Sequence, residues 1–414
     1  MSAPPTVAYI FERYPVLSQT FLRREVAGVI DQGVHVEIHS MLRPGAADRA
    51  HVLECVRVDY FRWWEAVKLV VALPRELLRD RTLLHDSWRL YRRYRPTNSQ
   101  NFWTTVWAAI FAVCRANRIR QDKPDILHGV WATGPATAAA ILGRLCGIPF
   151  SFGGHAYDIY RHGGDAFLEP KLRAASFVHT TTATSAEYLR ERAGGAAIKI
   201  VLARRGLDQL PPKPARDTGP RPIRLLSVGR LVPKKGHTHQ LAACRLLKSQ
   251  GVPFLARIVG DGPLRNELQQ RIDRDGLADV VTLCGAHSPE QVADDYRWAD
   301  VLWHTGVVDP QGDRDGLPNV IPEAFTWWLP VISSRMPGPM EAVAHETSGL
   351  IVDVPNASEL ADAVKRLADE PALRQRLGEN GRRWVEENFL ISQNSAILAR
   401  AFRSVIESRG KHSP

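Results

Sequence analysis

Arg230 and Lys235 stand five residues apart, just past a strand-like run that ends in Gly229, and Lys235-Gly236 leads into a helical pattern. A cation beyond the carboxyl end of a parallel strand faces the crevice where open α/β sheets bind ligands. The planar fork of Arg and the mobile point charge of Lys together suit a diphosphate, each charge-assisted bond contributing about 1.5–3 kcal/mol. Two solvated surface cations fit the same spacing. The second constellation is DRDGLPNVIPEAF, residues 313–325, with Asp315 and Glu323 eight residues apart. Gly316 permits an unusual turn and Pro318 suits a first helical position. The backbone N–H groups from Gly316 through Leu317 to Asn319 then lie at a helix start, where anions bind. Glu323 can accept two ribose-like hydroxyls, and Asp315, on the loop, can accept from a sugar ring. A capped helix with an acidic first turn is the plainer alternative.

Further candidates are single residues. His155 follows Gly153-Gly154 at the end of a strand-like run, and Asp158 is placed to orient its ring. A hydrogen-bonded structural histidine is the competing reading. His128 and Trp131 close an earlier strand and are weaker candidates of the same kind. Two Asp-x-Asp triplets occur, Asp273/Asp275 and Asp313/Asp315. Such pairs can hold a divalent metal on a diphosphate, but the first reads as part of a polar helix. With Arg230, Lys235 and a helix start available to neutralise the anion, no metal is expected. Gly260-Asp261-Gly262 lacks the third glycine of a dinucleotide fingerprint and reads as a turn. Ser288-Pro289-Glu290-Gln291 reads as a capping box.

The elements that must position these residues alternate between β-branched runs and helical patterns. The first strand series is 6–11, 34–41, 125–131, 150–156, 177–184 and 198–203; the second is 223–229, 254–260, 280–285, 301–305, 330–334 and 349–354. Near-continuous apolar strands separated by helices predict parallel sheets covered on both faces. The Pro- and charge-rich stretch 207–222 reads as a linker between an α/β domain at 1–206 and another at 223–385. Residues 386–414 are predicted to be helical and to cross back to the first domain.

Composition bounds the function. The 414 residues carry 54 basic and 44 acidic side chains, a net +10, which favours an anionic partner. Five scattered cysteines without a Cys-x-x-Cys argue for a reducing cytoplasm rather than a disulfide framework. No signal-peptide pattern is read at the N-terminus, and no apolar run reaches the roughly 20 residues that span a bilayer. Residues 59–123 hold 13 basic against 6 acidic residues, a net +7, together with five of the eleven tryptophans. They read as inserted helices. Either they sit on an anionic membrane surface, or they form a helical hairpin packed on the first sheet with solvated arginines.

The combination Gly229-Arg230…Lys235-Gly236, VGDGPL (259–264), Asp315-Gly316-Leu317-Pro318-Asn319…Glu323 and SGLIV (348–352) resembles the second domain of glycosyltransferase family 4. YPVLSQTFLRRE (14–25) and FGGHAYD (152–158) look like first-domain motifs of members that build colanic-acid-type exopolysaccharides. The resemblance implies a GT-B fold, two Rossmann-like doubly wound parallel-sheet domains facing across a cleft. It implies retaining transfer from a UDP- or GDP-sugar to a hydroxyl of a saccharide or lipid-linked saccharide acceptor, in the cytoplasm or at the inner membrane face. No cofactor beyond the nucleotide-sugar substrate is expected. It further implies that Arg230 and Lys235 hold the diphosphate and Glu323 the ribose. Asp315 and the Gly316–Asn319 amides hold the transferring sugar and phosphates, and His155 approaches that sugar. This chain departs from the family in having Asp315 where Glu is usual, Pro337-Gly338-Pro339-Met340-Glu341 in place of Gly-Gly-x-Pro-Glu, and Phe11–Ser18 in place of a glycine-rich loop. A soluble acceptor such as an aminoglycoside is the enzyme alternative. A nucleic-acid-binding protein shares the charge but shows no recognition motif here, and a sugar-nucleotide epimerase needs a tightly bound dinucleotide.

Overall fold

Strands buried on both faces cannot alternate polar with apolar, and the first of them, Thr6–Arg13 (β1), shows this with Val7, Ala8, Tyr9, Ile10 and Phe11 all buried in succession. The computed structural model describes residues 4–16, 19–49, 52–96, 98–208, 210–215 and 221–410. The chain divides into two units, one of residues 1–208 with 391–414, the other of residues 209–390.

In the first unit β1 is joined by His35–Leu42 (β2), Arg57–Tyr60 (β3), Ile126–Gly129 (β4), Phe150–Gly153 (β5), Phe177–Thr180 (β6) and Ile200–Leu202 (β7). The sheet is parallel throughout, in the order β3-β2-β1-β4-β5-β6-β7. Alternate side chains feed two cores. Ala8, Ile10, Leu127 and Phe152 pack with Phe111, Ala112 and Leu142 of helices Ser99–Asp122 and Gly134–Cys146. Val7, Tyr9, Phe11 and Phe177 pack with Val26, Val29 and Phe402 of helices Thr20–Asp31 and Ile391–Gly410.

The second unit contains Ile223–Val228 (β8), Phe254–Val259 (β9), Val281–Gly285 (β10), Val301–His304 (β11), Val331–Ser334 (β12) and Gly349–Val352 (β13). Their order, β10-β9-β8-β11-β12-β13, is parallel and reverses direction between β8 and β11. Ile258, Trp303 and Ile332 centre its core.

Three sequence expectations are corrected. The strands expected at 125–131, 150–156, 177–184 and 198–203 are three or four residues long; beyond β4 the chain turns with Val130 and Trp131 still buried, and β7 begins two residues late, at Ile200. The edge strand β3, half-buried and only four residues long, begins before the segment read as inserted helices and extends into it. Within that segment, helix Ser99–Asp122 buries Ala108, Phe111, Ala112, Ala116 and Ile119 completely and so packs on the sheet, whereas helices Leu69–Arg79 and Leu83–Arg93 leave much of their length in water. Finally, residues 386–388 end helix Pro371–Asn388 of the second unit, and the returning helix starts at Ile391. The stretch read as a linker is partly docked. Lys213 Nζ lies 2.8 Å from Glu379, and Arg382 donates to the Pro211 carbonyl at 3.1 Å. Residues 209 and 216–220 of that stretch, and Leu17 and Ser18 of the 11–18 loop, lie outside the described residues.

Candidate active site

The reversal of strand order between β8 and β11 opens a crevice at the carboxyl ends of those strands, the position where doubly wound sheets bind ligands. β8 runs out through Gly229 into a turn that brings Lys234 and Lys235 to the end of β11. Gly236 makes this turn possible. It adopts φ +65°, and a Cβ there would lie 1.9 Å from the Thr305 carbonyl oxygen. The Thr305 hydroxyl closes the contact by donating to the Lys235 and Gly236 carbonyls, each at 3.1 Å.

Four charges interlock on this turn. Lys235 Nζ is 2.6 Å from Asp315 Oδ2, while Lys234, 7% exposed, lies 3.0 Å from Asp313 and 3.4 Å from Asp315. His304, the last residue of β11, points Nε2 at Asp315 Oδ2 across 3.4 Å. Burial by itself would push the Asp315 carboxyl up. The Lys235 ammonium, the His304 hydrogen bond and Lys234 outweigh it and hold that carboxyl well below the usual carboxylate range. Burial also lowers His304, against the pull of Asp315, which favours a neutral imidazole. Two lysines thus balance two aspartates. Arg230 is exposed, and its guanidinium forms no ion pair among the described residues.

The neighbouring loops are packed onto this centre by glycines. Gly260 has φ +139°, and a Cβ on it would lie 2.0 Å from the Gly229 carbonyl, so the 259–264 turn presses on the Arg230 loop. A Cβ on Gly338 would lie 2.2 Å from the Gly316 carbonyl, so the Pro337–Met340 turn braces the 315–319 loop. Within that loop Leu317 and Pro318 are buried. Helix Val320–Thr326 begins two residues later than expected, with Asn319 as its N-cap. Pro318 therefore precedes the helix, and its carbonyl accepts the Ile321 N–H at 3.1 Å. Glu323 accepts a hydrogen bond from the Tyr296 hydroxyl at 3.0 Å; burial first and then Glu323 raise that phenol well above its ordinary value. Ser288 forms the expected capping box with Gln291. Asp273 accepts from Gln269 within its own helix turn, and Asp275 lies 3.6 Å from Arg271.

In the first unit His155 sits just beyond β5 at 3% exposure, its ring centroid 5.5 Å from Trp131 and 5.0 Å from His179. Burial, aided by His179, Arg205 and His128, pushes it well below the ordinary imidazole value, so it is neutral. Asp158 does not orient the ring. Its oxygens accept the backbone N–H groups of His155, Ala156 and Ala132, and thereby fix the loop that carries His155. His128 bonds Ser151 at 2.9 Å inside the core.

Lys234, Tyr296, His304 and Thr305 were not singled out from sequence. Lys234 sits beside Lys235 with nothing in the spacing to distinguish them. The available signal for His304 was a polar residue closing an apolar strand.

Residues 213–384 match the family model described as glycosyl transferases group 1. The chain is 34% identical to WcaL of Salmonella typhimurium, named as a colanic acid biosynthesis glycosyltransferase, over 380 residues covering 86% of this chain and 88% of that one. It is 28% identical to the amylovoran biosynthesis glycosyltransferase AmsK of Erwinia amylovora over 87% of this chain and 90% of the relative. The crystal structure of Anabaena HepE in complex with UDP shares its fold, with a TM-score of 0.70 at 17% identity, over 97% of this chain and 100% of that one. Full-length similarity and two parallel sheets of the same architecture give one conclusion: the chain belongs to the glycosyl transferases group 1 and is a glycosyltransferase enzyme of the GT-B fold.

Proposed function

We propose that the enzyme moves a glycosyl group from a nucleoside-diphosphate sugar to a hydroxyl of a saccharide acceptor, with retention at the anomeric carbon, during assembly of a bacterial exopolysaccharide. The observation that carries this reading is the Lys235–Asp315 pair, 2.6 Å apart, beside His304 at the reversal of the second sheet. The complex of HepE with UDP and the names of WcaL and AmsK support a nucleotide-sugar donor and a surface polysaccharide product.

The roles in this proposal rest on the family resemblance and are supported by the distances above. Arg230, the exposed cation, and Lys235 hold the donor diphosphate; as the phosphate enters, Lys235 divides its hydrogen bonds between it and Asp315. Glu323, its carboxylate already oriented by Tyr296, accepts the ribose hydroxyls. Asp315 and the amides of the Gly316–Asn319 loop hold the sugar and phosphates. The bond from the anomeric carbon to the diphosphate oxygen breaks with oxocarbenium character. The acceptor oxygen bonds the same face, and its proton passes to the departing phosphate oxygen. The cations stabilise charge as it develops, which is electrostatic preorganisation. Asp313 and Asp315, the carboxylates a divalent metal would use, are taken by lysines, so diphosphate neutralisation falls to the chain's own cations. His155 serves as a neutral imidazole of the acceptor-binding unit. The acceptor is a lipid-linked saccharide reached from the cytoplasm.

The test is donor-dependent transfer by Arg230→Ala and Glu323→Ala. Activity within a few-fold of the parent enzyme in both would refute the site. A thermal-shift panel of nucleotide sugars identifies the donor, since a ligand at 100 times its Kd adds about 2.7 kcal/mol of stability.

A further inference from the structure

Helix Leu69–Arg79 is apolar on two sides: Leu69, Leu73 and Leu77 are half-buried on its inner face, and a second apolar row faces solvent. Its one carboxylate, Glu76, is 2% exposed and is gripped by Arg120 through both oxygens, with Arg79 at 3.3 Å. Its outer face carries Val70, Val71 and Leu78 at 75, 74 and 77% exposure, continuing from Val67 at 72% and Trp63 at 75%. These positions recur at helical spacing and form one stripe. The next helix, Leu83–Arg93, exposes Leu84, Trp88 and Tyr91 at 60, 59 and 38%, again three and four residues apart. Single exposed apolar residues need no account, but two adjoining stripes of valine, leucine and tryptophan on consecutive helices mark a surface with a partner.

The charges say which partner. The acids of this region are neutralised internally: Asp80 and Asp86 lie 2.6 and 2.8 Å from Arg144, and Glu65 lies 2.7 Å from Lys68. Arg89, Arg92 and Arg93 face solvent. Arg62, Arg75, Arg81 and Arg95 are exposed as well, so positive charge is presented outward beside valine and tryptophan. We propose that helices Leu69–Arg79 and Leu83–Arg93 seat the first unit on an anionic lipid bilayer. The apolar stripes enter the boundary between headgroups and acyl chains, and the arginines engage lipid phosphates. No helix of the described residues is long and apolar enough to cross a membrane, so the contact lies in the membrane plane. The inference is independent of the donor site, because its readout is partition rather than transfer.

The experiment is sedimentation of the full chain with vesicles of phosphatidylcholine alone, or with about a third phosphatidylglycerol, at low and high salt. Wild type is expected to partition onto the anionic vesicles at least about tenfold better than onto the neutral ones, and to be released by salt. A triple variant Val70→Ser, Val71→Ser, Leu78→Ser, with unchanged circular dichroism because all three positions are exposed, should lose at least about tenfold of that partition. Arg89→Gln, Arg92→Gln, Arg93→Gln should lose roughly a hundredfold. Wild type left in the supernatant at low salt overturns the proposal, as does binding by both variants within twofold of wild type. So does failure to bind vesicles combined with a dimer that the serine variant dissociates, which would make a second copy the partner.

Discussion

Lys234 and Lys235 are neighbours in sequence with different tasks. Lys234 is buried and serves the two aspartates, whereas Lys235 sits at the rim of the cluster beside Asp315. Removing Lys235 strips Asp315 of its nearest cation while leaving its burial, so the carboxyl must rise. Lys235→Ala is thus expected to lower kcat/KM at neutral pH by about 10²–10³-fold and to shift the acidic limb of the pH–rate profile upward; an unmoved limb would separate Asp315 from the reaction. Tyr296→Phe tests the other arm. It deletes the 3.0 Å hydrogen bond to Glu323 and should raise the donor KM about tenfold, a bond to a charged group being worth about 1.5–3 kcal/mol, with kcat nearly unchanged.

At the scale of elements, the site is a set of short turns held apart and together by glycines. Gly236 has a left-handed backbone and no room for a methyl group beside the Thr305 carbonyl. Gly236→Ala is expected to destabilise the second unit by at least about 2 kcal/mol, seen as an earlier thermal transition. Gly338 offers a subtler break, since a Cβ there meets the Gly316 carbonyl at 2.2 Å. Gly338→Ala should push the 315–319 loop off its support and depress transfer while the circular dichroism spectrum stays native. Full activity in that variant would mean that the loop needs no brace.

At the scale of the molecule, the first unit buries imidazoles that the sheet keeps from protonation. Burial, opposed by Asp59, pushes His39 down to about 4, and burial lowers His128 and His155 well below their ordinary value of 6.5. As pH falls through about 6.5 the unfolded chain takes up these protons and the folded chain does not. Stability should therefore fall below that pH, each such histidine contributing up to about 1.4 kcal/mol per pH unit until its folded value is reached. His39→Phe, which removes a ring whose two nitrogens have no hydrogen-bond partner among the described residues, should flatten the loss of melting temperature between pH 6.5 and 4. A slope equal to that of wild type would show that His39 titrates freely.

Periodicity and punctuation in the chain were enough to show two parallel-sheet halves, because a strand covered on both faces must be apolar throughout and a helix must be apolar on one side. They also drew attention to the Lys235-Gly236 and Asp315-Gly316 turns and to Glu323 eight residues beyond Asp315. Neither could separate Lys234 from Lys235, find His304 or Tyr296, or place Pro318 before rather than inside its helix. Those depend on contacts between residues 11 to 81 positions apart, formed only when β8 and β11 pair and their loops close over one another. The helix at 69–79, apolar on two sides, is of the same kind. Apolar spacing says that a helix has a face, and the Arg120–Glu76 pair decides which way that face turns.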